Sequence, residues 1–145
     1  MKKIIIADSK GWFVKSLSRQ EAAINGWRII TTREELDYKY LKSINPSYIF
    51  FAHWSWIVPE EIHNSFNCIV FHTAPLPYGR GGSPIQNLIL KGFKSSPVCA
   101  IKMINEVDAG PIYCSETISL EGNIVEIFER IAEAIKNMIW KIVKT

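Results

Sequence analysis

Two side chains in this sequence have the types and placement to move protons: His72 and Asp108, 36 residues apart (108 − 72). An imidazole changes charge near neutral pH, and a carboxylate beside it can orient the ring or take a proton. His72 closes an apolar run, Cys68-Ile69-Val70-Phe71, that predicts a buried strand. Asp108 stands in Glu106-Val107-Asp108-Ala109-Gly110-Pro111, directly after a second apolar run from Val98 to Ile104. Open α/β sheets build sites from residues at strand carboxyl ends. Other readings remain for each: His72 as a core histidine, and Asp108 as a cap on its own turn, a common use of Asp before Gly.

Between the two lies a stretch holding Pro75, Pro77, Pro84, Gly79, Gly81 and Gly82, too rich in breakers to be helix or strand. Tyr78-Gly79-Arg80-Gly81-Gly82 lets the backbone approach a ligand, and Arg80 can pair with phosphate or carboxylate. Gln86 and Asn87 follow on the first turns of a helix opened by Ser83-Pro84, with Gly92 as its stop. Upstream, His53-Trp54-Ser55-Trp56-Ile57-Val58-Pro59 forms a loop after a strand. Its two tryptophans read either as core or as a flat wall for a planar ligand. His53 and His63 lack a second ligand at metal spacing and read as surface or turn residues, so no metal site is expected.

The elements that must hold these residues follow in order. Ile4–Ala7 is a strand buried on both faces. The Asp8–Gly11 turn leads to a helix over 12–20; with one glycine there, the dinucleotide-binding fingerprint is absent. Trp27–Thr31 is a second strand. Thr32 and Glu35 form a capping box for a helix over Arg33–Ile44. Tyr48–Ala52 is a third strand, and a helix starts near Pro59 with Glu60 and Glu61 in its first turn. A strand spans Pro111–Leu120. Asn123 caps a final helix whose stripe is Ile124, Ile127, Phe128, Ile131, Ile135, Met138 and Ile142. About five or six strands alternating with four or five helices predict one α/β domain over residues 1–145, three-layered and Rossmann-like, with a mostly parallel sheet.

The chain's 145 residues suffice for a core without staples, and 48% are hydrophobic and 21% charged. A net charge of +3, scattered rather than striped, argues against nucleic-acid binding and suits a small anion. Cys68, Cys99 and Cys114 are odd in number and lie in apolar runs, as buried reduced thiols do. No signal peptide or membrane-spanning run is evident, and a cytoplasmic location is expected.

The central stretch resembles the formyltransferase family that includes methionyl-tRNA formyltransferase, glycinamide ribonucleotide transformylase and bacterial sugar N-formyltransferases. The family's Asn-x-His, Pro-Ser-Leu-Leu-Pro, Arg-Gly turn and Leu-Asp-x-Gly-Pro loop correspond to Val70-Phe71-His72, Thr73-Ala74-Pro75-Leu76-Pro77, Tyr78-Gly79-Arg80-Gly81 and Val107-Asp108-Ala109-Gly110-Pro111. The resemblance covers roughly Tyr48–Leu120 and implies 10-formyltetrahydrofolate as co-substrate. It implies a donor pocket from Trp54, Ser55, Trp56, Ile57, Val58, Val107 and Asp108, with His72 and Asp108 catalytic. Tyr78, Arg80, Gly81, Gln86 and Asn87 would then face the amine substrate.

Three departures stand out. The family's catalytic Asn is Val70, on the same strand face as His72, where Asn67 cannot substitute. Its His-Pro-Ser is His72-Thr73-Ala74. Third, the tRNA enzyme of the family carries a further C-terminal domain beyond the stretch matched here, so the tRNA enzyme is not expected; nor is the purine-pathway enzyme, whose glycine-rich phosphate loop has no match at Asp8–Gly11. The resemblance is thus nearest to small sugar N-formyltransferases, implying an amino sugar or sugar nucleotide as acceptor. Losing one oxyanion donor typically costs ~100- to 1,000-fold in turnover. Thr73, Ser83, Asn87 or a glycine-turn N–H would have to replace it, with Thr73 nearest. The alternatives are a homologue that binds folate or sugar nucleotide without turnover, a transferase for another small amine, and a subunit using the final helix as its interface. A homo-oligomer is left open.

Overall fold

The computed structural model describes residues 2–9, 11, 13, 26–73, 84–107 and 109–144. Its strands are β1 (Ile4–Asp8), β2 (Arg28–Ile30), β3 (Tyr48–His53), β4 (Cys68–Thr73), β5 (Ser95–Lys102) and β6 (Ile112–Ser119). They form one six-stranded sheet in the order β2-β1-β3-β4-β5-β6. β1 pairs in parallel with β2 and with β3, and β3 in parallel with β4, while β5 and β6 are antiparallel. This is the mostly parallel α/β sheet that the alternation of apolar runs and helical periods predicts. The helices are α1 (Tyr38–Ile44), α2 (Glu60–Ser65), α3 (Pro84–Leu90) and α4 (Ile124–Val143). The helix expected over 12–20 lies outside the described residues apart from Phe13, which is helical and fully buried.

By contacts the chain divides into two compact units, Met1–Val70 and Phe71–Thr145. In the first, Ile4, Ile5, Ile6, Ile49, Phe50 and Phe51 are buried, as strands covered on both faces require. The helix expected over Arg33–Ile44 is interrupted. Glu35 does reach back as a capping box demands, accepting from the backbone N–H of Thr31 and Thr32 and from the Thr32 hydroxyl. The backbone N–H of Thr31 is the first of the contacts that lower the Glu35 carboxyl below its ordinary range, and the Thr32 contacts add to it. The result is only a 3₁₀ turn over Arg33–Glu35, after which Asp37 starts α1 anew by accepting from Tyr40 N–H. An Asp side chain favours a cap over a helix interior, so it splits the segment. Asn45 ends α1 in the left-handed region, just before Pro46.

In the second unit, β5 starts and ends earlier than the predicted Val98–Ile104: Ser95 to Pro97 pair with Ser119 to Thr117, and Ile104 stands exposed beyond the strand. Helix α4 packs on β5 and β6. Its N-cap is the expected one, with Asn123 accepting from Glu126 N–H at 2.9 Å while Glu126 accepts from Asn123 N–H at 3.1 Å. Ile127, Ile131, Ile135, Met138 and Ile142 of the predicted stripe are buried, with Ala132, Ala134 and Ile139 widening it. Each large apolar side chain so buried contributes ~1.5–3 kcal/mol. Ile124 and Phe128, in the first turns, are exposed instead.

Candidate functional site

His72 is the penultimate residue of β4, as the sequence predicts, and only 8% exposed. The strand runs through Thr73, so side chains alternate along it to its end. Val70 therefore shares a face with His72, and Thr73 falls on the other. A Thr73 hydroxyl on that opposite face is poorly placed to replace the donor that Val70 lacks. Val70 itself is half-buried and paired with Phe51 of β3.

Asp108 lies outside the described residues, but the turn carrying it is bounded on both sides. Lys102 N–H donates to the Pro111 carbonyl at 2.9 Å, and Ala109 N–H donates to the Glu106 carbonyl at 3.4 Å. Gly110 is pressed against the end of β5. A Cβ there would lie 2.8 Å from the Lys102 carbonyl carbon, and its oxygen would be closer still. Only a residue without a side chain lets the turn close on the strand in this way. Val107, one residue before Asp108, is 69% exposed.

The aromatic loop is built from the first unit alone. Phe51 meets Trp54 edge-on at 5.8 Å, and Trp54 meets Trp56 edge-on at 5.0 Å and 74°. Edge-to-face pairs of this kind add ~0.5–1.5 kcal/mol beyond area. The Trp54 Nε1–H is buried and has no hydrogen-bond partner among the described residues. Trp56 and Ile57 are exposed, Ile57 almost fully. The accessible part of this loop is therefore the Trp56 indole and Ile57, an aromatic and apolar surface suited to one face of a planar heterocycle.

His53, read from sequence as a surface or turn residue, is the last residue of β3 and half-buried. Its Nδ1 is 3.2 Å from Ser9 Oγ, and Ser9 Oγ is 2.9 Å from Ser55 Oγ. No signal in the sequence joins them: His53 ends β3 and Ser9 follows β1, and only the strand order makes those two ends neighbours. Gln86 and Asn87 are exposed on α3. Tyr78, Arg80, Gly81 and Ser83 lie outside the described residues. Trp54, Ser55 and Trp56 are thus brought together, while Gln86 and Asn87 stand on a separate element.

The chain matches the family model described as formyl transferase over residues 8–143. It is 31% identical over 117 residues to a methionyl-tRNA formyltransferase from Nitratiruptor sp., covering 79% of this chain and 39% of that protein. It therefore spans about two fifths of that relative's length. The structure is similar to methionyl-tRNA formyltransferase from Clostridium thermocellum, with a TM-score of 0.91 and 41% identity, covering 99% of this chain and 65% of the other. It is also similar to HypX from Aquifex aeolicus in complex with tetrahydrofolic acid, with a TM-score of 0.78, covering 99% of this chain and 27% of that one. At 16% identity that match carries the fold only.

Proposed function

The chain belongs to the formyl transferase family, and from that premise we propose that it moves a formyl group from 10-formyltetrahydrofolate to the amine of an amino sugar or sugar nucleotide. The observation that carries the reading is a buried imidazole at the carboxyl end of β4, on the motif position of the family's histidine. The co-substrate supplies an activated formyl carbon. The amine nitrogen bonds to that carbon, the bond to the donor nitrogen breaks, one proton leaves the amine and one reaches the departing nitrogen.

His72 suits the proton transfer because an imidazole can accept a proton at one ring nitrogen and donate one from the other. Asp108 would orient it and stabilise its charged form. Trp56, backed by Trp54, would lie against the pterin, with Ser55, Ile57 and Val58 beside it on the same loop; Val107 is proposed as a further folate contact. Tyr78, Arg80, Gly81, Gln86 and Asn87 would receive the acceptor, Arg80 pairing with any phosphate it carries. The charge of +3 favours such an anion. A transferase of this kind acts on a small molecule, needs no metal and works in the cytoplasm. The domain is proposed to extend over residues 1–145.

A second reading has specific support: the relatives at 31% and 41% identity are named for methionyl-tRNA. The acceptor would then be the aminoacyl amine of that tRNA. Incubating the protein with 10-formyltetrahydrofolate and either a panel of amino-sugar nucleotides or methionyl-tRNA decides between them. His72→Ala should lower transfer to the true acceptor by at least ~100-fold while retaining the fold, since general acid–base groups contribute ~10²–10⁴. Near wild-type transfer by that variant would remove His72 from the chemistry.

A further inference from the structure

Chain direction singles out one point of the first unit's sheet. From β1 the chain passes to β2 on one side, then returns to β3 on the other, so the order β2-β1-β3 reverses between β1 and β3. In open α/β sheets, ligands lie outside the carboxyl ends of the strands at such a reversal. The β1–β3 ladder is irregular just there. Ala7 pairs with Phe51, but Asp8 pairs with His53, skipping Ala52. Such irregularities are rare in parallel pairs and re-aim a side chain at the strand end.

Ser9 follows immediately and makes three contacts. Its N–H donates to the His53 carbonyl at 2.7 Å. Its Oγ lies 3.2 Å from His53 Nδ1 and 2.9 Å from Ser55 Oγ. A hydroxyl has one donor and two acceptor sites, so one oxygen can serve both partners. His53 and Ser55 bracket Trp54, whose ring in turn meets Phe51 and Trp56.

We propose that Ser9 is a positioning residue: it ties the His53 backbone and side chain and the Ser55 side chain, the two neighbours of Trp54, to the end of β1, and so fixes the angle of the Trp54–Trp56 wall against which the folate ring binds. The statement rests on the folate reading above. Ser9 touches no reacting atom; it acts through the loop. Without its hydroxyl the loop loses two side-chain hydrogen bonds but keeps the Ser9 N–H bond to His53. The tryptophans then sample orientations that must be restored on binding, and affinity falls.

The test uses the full chain with 5-formyltetrahydrofolate as probe. Two readouts are taken on wild type, Ser9→Ala, Ser9→Thr and Trp56→Ala: the near-ultraviolet circular dichroism of the tryptophan pair, and Kd by calorimetry. Two hydrogen bonds of ordinary net strength predict a loss of about tenfold in Kd for Ser9→Ala. A weakened tryptophan signal should accompany it, and Ser9→Thr should restore both. If Ser9→Ala does not fold, Ser55→Ala removes one of the two bonds from the exposed end and should give a smaller loss of the same kind. Unchanged Kd in Ser9→Ala, with Trp56→Ala weakened, overturns the positioning role alone. Unchanged Kd in both variants overturns the folate wall and this proposal with it.

Discussion

Replacing Gly110 by alanine is a sharp mechanical perturbation of the second unit. Gly110 requires no left-handed backbone, so its need for glycine is steric. The added Cβ would sit 2.8 Å from the Lys102 carbonyl carbon, against rigid backbone rather than a side chain that can swing away. The turn must therefore lift off β5, stretching the Lys102 N–H bond to Pro111, now 2.9 Å. Forcing a methyl group into packed structure costs ~1–3 kcal/mol. For a chain of this size that lowers the melting temperature by about 2–12 °C. The same movement displaces Asp108, two residues earlier, and a misplacement of ~1 Å can cost ~100-fold in rate. The assay is a thermal melt followed by circular dichroism, paired with formyl transfer to the acceptor that the wild type uses. Gly92→Ala is the control: its φ is +83° and an added methyl would meet nothing within 4 Å, so only the backbone cost of ~1–2 kcal/mol applies. The Gly92 variant should destabilise without a specific loss of turnover. A Gly110→Ala protein that melts within about 1 °C of wild type and transfers within about twofold would show that the turn accepts a side chain against Lys102.

Two further outcomes follow from burial. Desolvation pushes the Cys68 thiol up to about 12, so at pH 8 its thiolate is roughly 1,000-fold scarcer than that of an ordinary thiol. Iodoacetamide should spare Cys68 in the native protein and label it in urea; rapid native labelling would contradict the buried placement. Val70→Asn restores the family's residue on a half-buried strand face. It should cost under ~2 kcal/mol and leave transfer equal or faster; a collapse of stability would mean that face is packed core.

Apolar runs announced the strands correctly because β1, β3 and β4 are covered on both faces, where uninterrupted Ile, Val and Phe are the rule. The N-cap of α4 was legible because Asn123 and Glu126 have the spacing of a reciprocal cap. The split at Asp37 was not, since Asp is tolerated in a helix and only the local geometry shows that it caps. His72 at its strand end could be read from the run before it. Ser9 and His53 could not, because their contact joins residues 44 apart and depends on β1 and β3 being neighbours. The same holds for Gly110, whose need for glycine lies in the backbone of Lys102 rather than in its own turn.

Folate binding is tested most directly by calorimetric titration of 5-formyltetrahydrofolate into wild type and Trp56→Ala. Wild type should bind with Kd on the order of micromolar, weakened about tenfold when the exposed indole is removed. No binding to the wild type would contradict the folate reading and remove the formyl donor from the proposed reaction.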